Sequence, residues 1–263
     1  MLEINKIYNE DCLYTMSRME DNFIDLTITS PPYDNLRAYN GYSFRFNRVA
    51  AELYRITKNG GVVVWVVGDS TLNGDESGTS FKQALYFKQI GFNLHDTMIY
   101  QKKAVGACGS KYCYSQAFEY MFVLSKGKIQ TFNPIKDLIP KRAGKPTNYV
   151  KTKSNKDGYV SEIIEKITPD ASKRQNIWTY EIGFCSGDDN VQHPAKFPEQ
   201  LANDHIISWS NENDLIYDPF MGSGTVAKMA LLNNRKFIGS EISEEYCDMA
   251  IKRIEQTTLT KGE

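Results

Sequence analysis

The sequence predicts an α/β protein built on a doubly wound, mostly parallel sheet. Apolar strand-like segments alternate with segments of helical spacing along most of the 263 residues. The run Val62–Val67 is apolar without interruption, as expected for a strand covered on both faces of a parallel sheet. Two further strand-like segments, 24–28 and 213–217, each lead directly into a turn-forming motif. In this fold class, sites form where such strands end.

Each remaining element follows from its local pattern. Helical spacing over 46–57 stops at the turn signal Lys58-Asn59-Gly60-Gly61, and a helix over 80–90 stops at Gly91. The segment 118–124 is predicted as the hairpin partner of the strand over 92–100, closing the edge of the sheet. The same criteria predict helices over 199–209 and 226–232 and a strand over 236–240.

Composition limits the class of protein. The length suits one enlarged α/β domain with room for a subsidiary lobe, and the 41% hydrophobic fraction supports a folded core. No apolar run approaches the length of a membrane span, and the first residues lack the pattern of a signal peptide, so a cytoplasmic protein is expected. The five cysteines are odd in number and include no C-x-x-C pair, which predicts no metal site.

The first motif is Ser30-Pro31-Pro32-Tyr33, directly after the strand at 24–28. Each proline fixes its own φ, removes a backbone donor and pushes the preceding residue toward extended geometry. The carbonyls of Ser30 and Pro31 and the Ser30 hydroxyl can therefore form a cluster of acceptors suited to an amino group. Tyr33 offers a flat face on which a nucleobase could stack. A proline-stiffened turn with a packing tyrosine is the alternative reading of the same residues.

The second motif runs from Asp218 through Gly222-Ser223-Gly224 to Thr225, between a strand and a helix. Glycines at such a turn allow positive φ, and the following helix N-terminus favours a carboxylate. The phosphate-binding P-loop pattern is absent, and the third glycine of the strict dinucleotide fingerprint is replaced by alanine. Glu241, which ends the next strand, is placed to accept hydrogen bonds from ribose hydroxyls. It could equally be an exposed acid that starts a helix.

Taken in order, these motifs resemble the β-group S-adenosylmethionine-dependent DNA amino-methyltransferases in which the catalytic motif precedes the cofactor motif. The resemblance implies a class I methyltransferase fold with a seven-stranded sheet and circularly permuted motif order. It implies S-adenosyl-L-methionine as cofactor. The residues it assigns to cofactor binding are Asp11, Cys12, His193, Pro194, Ala195, Lys196, Phe197, Asp218, Pro219, Phe220, Gly222, Ser223, Gly224, Thr225, Glu241 and Ile242.

The resemblance also divides the chain into a catalytic half (1–126), a target-recognition insertion (127–175) and a cofactor-binding half (176–263). Residues 126–174 contain twelve Lys and Arg against five Asp and Glu, a net charge of +7, whereas the remainder of the chain sums to −8. Concentrated positive charge is what phosphate contacts require. Double-stranded DNA is therefore the expected partner. The residues predicted to contact it are Arg37, Arg45, Lys141, Arg142 and Lys145. A solvated surface excursion is the alternative.

The expected reaction is methyl transfer to an exocyclic amine of a flipped base, with Ser30, Pro31, Pro32 and Tyr33 as the catalytic residues and Asp34 as a candidate proton acceptor. Serine at position 30 favours cytosine N4, and adenine N6 is the alternative. An RNA or protein-amide methyltransferase and a non-catalytic DNA-binding module are weaker readings. No cysteine follows a proline, which disfavours methylation at the cytosine 5-position. A cognate restriction endonuclease and a homodimer are further partners that the resemblance allows, and a bacterial or archaeal, DNA-associated protein is expected.

Overall fold

The computed structural model describes residues 2–32, 44–103, 112–155, 158–181 and 197–261. The helices are α1 (Cys12–Ser17), α2 (Phe46–Ile56), α3 (Thr79–Gln89), α4 (Glu199–Trp209), α5 (Thr225–Leu232) and α6 (Glu244–Lys261). The strands are β1 (Lys6–Asn9), β2 (Ile24–Thr29), β3 (Thr57–Val67), β4 (Thr71–Leu72), β5 (Asp75–Glu76), β6 (Asn93–Lys103), β7 (Phe118–Ser125), β8 (Lys136–Leu138), β9 (Pro146–Asn155), β10 (Gly158–Ile167), β11 (Ser172–Lys173), β12 (Ile177–Glu181), β13 (Leu215–Asp218) and β14 (Lys236–Glu241).

The chain divides into two compact units, one formed by residues 1–133 and 176–263 and the other by residues 134–175. The larger unit contains a sheet with the strand order β1-β14-β13-β2-β3-β7-β6-β12. Only β7 runs antiparallel to its neighbours β3 and β6. The predicted mostly parallel, doubly wound α/β fold is therefore confirmed.

The core of the larger unit lies on the central strands and the helices that cover them. All six residues of Val62–Val67 are buried, and Trp65 is fully enclosed, which confirms the predicted strand covered on both faces. The indole N–H of Trp65 donates to Oε1 of Gln83 on α3 at 2.7 Å, so the polar atom of this core residue is satisfied. Within the described ranges, none of the helices combines the length and apolar character needed to cross a bilayer.

Two details of the predicted sheet differ in the structure. β7 does not close the edge, because it lies between β3 and β6 and its residues 121–125 are buried. The edge strand is β12, which pairs in parallel with β6 and makes the sheet eight-stranded among the described residues, rather than seven-stranded. In addition, α2 ends at Ile56 and β3 begins at Thr57, so the segment Lys58–Gly61 extends a strand instead of forming the predicted turn.

The smaller unit, residues 134–175, is built mainly from two long antiparallel strands. β9 and β10 pair over ten residues each, from Pro146↔Ile167 to Asn155↔Gly158. The short strands β8 and β11 form a second antiparallel pair, and Arg174 binds the Asp137 carboxylate through Nε at 2.8 Å. The segment 127–133, which the sequence assigns to the insertion, belongs to the larger unit, where Gln130 N–H bonds the Gly60 carbonyl at 3.2 Å.

Candidate active site

The two sequence motifs lie at the ends of neighbouring strands. β2 and β13 pair in parallel, with Leu26 opposite Ile216 and Thr27 opposite Tyr217. Their carboxyl ends therefore meet at one edge, where β2 continues into Ser30 and β13 into Pro219. From β2 the chain proceeds to β3 on one side, and from β13 it proceeds to β14 on the other. A reversal of this kind opens a crevice at the carboxyl ends of the strands, where ligands bind in doubly wound sheets.

A hydrogen bond joins the two motifs directly. The hydroxyl of Thr29, the last residue of β2, donates to Oδ1 of Asp218, the last residue of β13, at 2.7 Å. The backbone N–H of Phe220 donates to the same oxygen at 3.0 Å. Both Thr29 and Asp218 are buried. The carboxylate of Asp218 is thus held between the turn that carries Ser30 and the loop that carries the glycines.

Burial changes the acidity of this carboxyl group. Removal from water raises the pKa of Asp218 to about 7, although the bonds from Thr29 and Phe220 act in the opposite direction. The nearby carboxylate of Glu241 raises it further. Asp218 therefore changes its charge near neutral pH, at the junction between the two motifs.

The loop after β13 adopts the positive φ angles that the glycines predict. Gly222 has φ 53° and Gly224 has φ 82°. A Cβ atom at Gly224 would lie 2.9 Å from Cβ of Ala250 on α6, so close approach of that helix also requires glycine here. The N–H of Met221 bonds the Ser240 carbonyl at 2.9 Å, which fastens the loop to β14, and α5 starts at Thr225. Phe220, half-buried, lies edge-on to Phe44 with ring centroids 5.4 Å apart.

Glu241 ends β14 and faces the same loop. Its Oε2 accepts the N–H of Gly222 at 2.8 Å, and its Oε1 accepts the N–H of Ser243 at 2.9 Å. Burial raises the pKa of the Glu241 carboxyl, and these backbone donors partly counter it. The backbone carbonyl of Glu241 accepts Nδ2 of Asn9 at 2.9 Å, whereas the following Ile242 is exposed.

Asp11 and Cys12 lie just beyond β1, the parallel neighbour of β14. Asn9 is opposite Glu241 in this pairing, so the chain after β1 reaches the same edge of the sheet. Oδ1 of Asp11 accepts the N–H of Leu13 at 2.8 Å and caps α1. The Cys12 thiol is buried, and burial raises its pKa well above the ordinary value. Four neighbouring parallel strands thus bring Asp11, Glu241, Asp218 and Ser30 to one edge.

The other predicted site residues fall into three groups. Ser30 and Pro32 are half-buried at the end of β2, and Pro31 is buried. Phe197 is half-buried just before α4, Arg45 is exposed just before α2, and the side chains of Lys141, Arg142 and Lys145 are exposed in the smaller unit. Tyr33, Asp34, Arg37, His193, Pro194, Ala195 and Lys196 lie outside the described residues.

Two residues that contact the predicted site were not themselves predicted as site residues. Thr29 directly precedes the Ser-Pro-Pro-Tyr motif, so its adjacency was a usable signal, but its bond to Asp218 depends on the order of strands in the sheet. Arg253 lies on α6, where an arginine at helical spacing looks like any solvated cation. It is buried, and its Nη1 donates to Oγ1 of Thr225 at 3.0 Å.

Acidic strand ends and a glycine loop that meet at the switch point of a doubly wound sheet are the arrangement with which α/β enzymes bind cofactors. The profile of a family described as DNA methylase, the N6/N4 methyltransferases, matches residues 24–252. The chain therefore belongs to this family of DNA amino-methyltransferases.

Similar proteins span nearly the full length of the chain. The orphan methyltransferase M.BamHII of Bacillus amyloliquefaciens is 56% identical over 242 residues, which cover 89% of each chain. The DNA adenine methyltransferase YhdJ of Escherichia coli (strain K12) is 23% identical and covers 96% of this chain and 83% of that protein. Among solved structures, the cytosine-N4-specific PvuII DNA methyltransferase superposes with a TM-score of 0.71 at 20% identity, covering 96% of this chain and 89% of that one. That similarity shows a shared fold.

Replacement of Thr29 by valine tests the bond between the motifs. Thr29→Val keeps the shape of the side chain but removes the donor to the buried Asp218 carboxylate. We expect the free energy of unfolding at pH 8 to fall by about 1–3 kcal/mol, the cost of leaving a buried charged acceptor short of a partner. Urea denaturation followed by tryptophan fluorescence measures the change.

Thr27→Val is the matched control for this experiment. Thr27 lies two residues earlier on the same face of β2, and its buried hydroxyl has no hydrogen-bond partner in the part of the chain that is described. Its replacement should leave stability unchanged or slightly increased, because it removes an unsatisfied polar group. Equal losses in the two variants would show that the Thr29–Asp218 bond contributes nothing specific.

The pH dependence of stability tests the burial of Asp218. Between pH 3.8 and about 7 the folded protein retains a proton on Asp218 that the unfolded chain releases, so this group makes stability fall as pH rises through that window. Asp218→Asn keeps an oxygen acceptor for Thr29 and Phe220 but does not titrate. We expect wild type to lose on the order of 2 kcal/mol more than Asp218→Asn between pH 5 and pH 8.

Urea denaturation at several pH values gives this comparison. Asp248→Asn removes one exposed carboxylate from α6 and serves as the control, and it should keep the wild-type pH dependence. An unchanged pH dependence in Asp218→Asn would contradict a buried, proton-binding Asp218.

Proposed function

We propose that this chain transfers a methyl group from S-adenosylmethionine to N4 of a cytosine that is flipped out of duplex DNA. The observation that carries the proposal is the junction of the two motifs: the chain turns into Ser30-Pro31 and into the glycine loop from adjacent strand ends, which the Thr29–Asp218 bond ties together. Direct transfer of a methyl group to an amine requires an amine-binding turn and a cofactor loop that open into the same crevice.

The residues at this edge fit the proposed cofactor. The Glu241 carboxylate accepts two backbone N–H groups and retains acceptor capacity for ribose hydroxyls. The positive-φ loop at Gly222 and Gly224 leads into the N-terminus of α5, where the helix dipole favours the carboxylate of the methionine end. Asp11 caps α1 through Oδ1, and its carboxylate at this edge is the acceptor proposed for an adenine amino group. M1.HpyAVI, which has this fold at 20% identity and a TM-score of 0.63, was solved as a complex with S-adenosylmethionine.

The chain's own residues perform the remaining tasks. When bound, S-adenosylmethionine supplies the methyl group on a positively charged sulfonium. The Ser30 hydroxyl and the Pro31 carbonyl accept the hydrogens of the target amine and hold them so that the nitrogen lone pair points into the crevice. Tyr33 stacks on the flipped base, which cannot reach the site while it is paired in the duplex. The methylated amine then releases a proton, for which Asp34 is the candidate acceptor. Positioning provides much of the acceleration.

Serine at position 30 is the basis for choosing cytosine. A serine hydroxyl accepts one hydrogen bond and can donate another, for example toward a ring nitrogen of cytosine, whereas a carboxylate only accepts. The cytosine-N4-specific PvuII enzyme shares the fold. Adenine N6 is the second candidate, and similarity to the DNA adenine methyltransferase YhdJ favours it.

DNA contact is proposed for the smaller unit. Residues 134–175 carry ten Lys and Arg against five Asp and Glu. The pairing of β9 with β10 places Lys151, Lys153 and Lys166 on one face of a two-stranded ribbon, a shape that the major groove admits. Lys141, Arg142 and Lys145 lie in the turns that lead into β9. These exposed cations have the chemistry that phosphate contacts need.

The reaction can be tested by sequencing plasmid DNA from cells that express the protein. The sequencing chemistry must distinguish 4-methylcytosine from 6-methyladenine. We expect 4-methylcytosine at one recurring sequence. The Ser30→Ala variant should methylate about 100-fold more slowly, because one positioned hydrogen bond to the reacting amine is lost. Ser17→Ala, which removes an exposed hydroxyl bonded to Tyr14, is the control and should retain activity.

The outcomes separate the candidates. Methylation confined to adenine would support the second candidate, and DNA without either modified base, at unchanged cofactor binding, would overturn the proposal. Full activity in Ser30→Ala would show that the serine does not hold the amine.

Triple replacement of Lys141, Arg142 and Lys145 by alanine tests the DNA-binding proposal. The slope of log affinity against log salt concentration should become shallower by up to about 3, because each lost phosphate contact removes roughly one released counterion. A fluorescence anisotropy titration of duplex DNA at several salt concentrations gives this slope. The control replaces the exposed Lys88, Lys236 and Lys252 of the larger unit, removing equal charge. Equal changes in both variants would assign the effect to net charge alone.

A further inference from the structure

Arg253 of α6 is a buried arginine that bonds the glycine loop and the helix that follows it. Its exposure is only 7%. Nη1 donates to the backbone carbonyl of Ser223 at 3.1 Å and to Oγ1 of Thr225 at 3.0 Å. Charged side chains are rarely buried unless they are paired, so this position has a specific set of partners to satisfy it. The loop and the first residue of α5 are both held from behind by one guanidinium group.

The counter-ion of Arg253 is Glu199, which links α6 to α4 and α5. Nη2 of Arg253 donates to the carboxylate of Glu199, the first residue of α4. The same carboxylate oxygen accepts Nζ of Lys228 on α5 at 2.6 Å. Burial alone would raise the pKa of Glu199, but the bonds and charges of Lys228 and Arg253 outweigh it and hold the pKa below its ordinary value. Glu199 therefore carries a negative charge between two cations.

This cluster of Glu199, Lys228 and Arg253 lies behind the predicted cofactor-binding segments. Glu199 follows Phe197 and Pro198, the end of the His-Pro-Ala-Lys-Phe-Pro stretch. Ala250, one turn before Arg253 on α6, is the residue that a Cβ at Gly224 would strike. The contacts of α6 thus define both the shape of the glycine turn and the position of its carbonyl at Ser223.

We propose that Arg253 is a positioning residue that sets the affinity of the glycine loop for the amino-acid end of S-adenosylmethionine. The inference rests on the proposed function. Arg253 holds the Ser223 carbonyl and Thr225 on the α6 side, which keeps the free N-terminal end of α5 directed at the crevice. The cluster contains two cations and one anion, and its excess positive charge at that helix end adds to the attraction for a carboxylate. Arg253 itself does not contact the cofactor.

Two nucleosides distinguish a positioning role from a structural one. S-adenosylhomocysteine carries the amino-acid end, whereas 5′-deoxy-5′-methylthioadenosine lacks it and retains the adenosine that Glu241 and Asp11 would bind. Titration calorimetry of Arg253→Met should show S-adenosylhomocysteine binding weakened about 10- to 100-fold, with methylthioadenosine affinity within about threefold of wild type, because a preorganised anion site is lost. Arg253→Lys, which restores a cation and part of the donors, should recover part of the loss.

Arg235→Met is the matched control. Arg235 is a half-buried arginine that, like the buried Arg253, bonds backbone carbonyls, through Nη2 to Ser210 at 2.6 Å and Nη1 to Asn233 at 2.6 Å. It precedes β14 and so lies at the amino ends of the parallel strands, whereas the candidate site lies at their carboxyl ends. Its replacement should lower the thermal unfolding temperature without changing the affinity for either nucleoside. A Kd change there equal to that in Arg253→Met would overturn the inference.

The remaining outcomes are also decisive. The positioning role would be overturned if Arg253→Met and Arg253→Lys bound both nucleosides more weakly by equal factors, or bound both with wild-type affinity. Either result would leave the proposed function intact. If Arg253→Met does not fold, the Arg253→Lys variant alone gives the comparison, with selective weakening of S-adenosylhomocysteine expected. Wild-type protein that binds neither nucleoside would overturn the proposed function and this inference with it.

Discussion

The hydrogen bond from Thr29 to Asp218 lies at the point where the sheet reverses its winding. It is possible because β2 and β13 are adjacent and parallel, with Leu26 opposite Ile216 and Thr27 opposite Tyr217, and Thr29 and Asp218 both follow these paired residues. The order of the strands therefore determines where the serine turn and the glycine loop are placed, and the chemistry proposed for the site depends on it.

Acidic groups collect at the same edge, and backbone donors make this arrangement stable. Asp218 receives the Phe220 N–H, Glu241 receives those of Gly222 and Ser243, and Asp11 receives that of Leu13. Each carboxylate is thereby oriented by the turn that follows its own strand, and the donors in these bonds are backbone N–H groups rather than cations. An edge built in this way presents oriented hydrogen-bond acceptors, which suit a ligand that carries hydroxyl and amino groups.

Local patterns were sufficient to predict most of the secondary structure. The apolar run at 62–67 and the helix over 199–209 are present as predicted, because their burial and spacing are encoded within the segments themselves. The position of β7 inside the sheet was not predicted, because a strand at the centre of a sheet and one next to its edge can have the same apolar sequence pattern. β12 has only five residues, too few for its alternation of buried and exposed side chains to stand out.

Local patterns also predicted only part of the candidate site. Asp218, Glu241 and the glycines could be found from sequence because each occupies a turn with a recognisable residue pattern. The roles of Thr29 and Arg253 depend on partners 189 and 30 residues away in the chain, which no local pattern contains. Such contacts follow from topology and helix packing, and these become visible only when the elements are assembled.

The boundaries of the smaller unit have a consequence for how such a protein can diverge. The chain leaves the larger unit after Asn133, whose N–H bonds the Ser208 carbonyl at 2.8 Å, and returns at Asn176, whose carbonyl accepts the Ile99 N–H at 2.8 Å. Both attachment points are secured by residues of the larger unit alone, and no strand of the large sheet comes from residues 134–175. Among the described residues, every strand pairing of the large sheet is therefore made outside the segment between these two asparagines. If residues 134–175 contact DNA as proposed above, a lineage could exchange this segment and acquire a new target sequence while the strands that carry the candidate site stay the same.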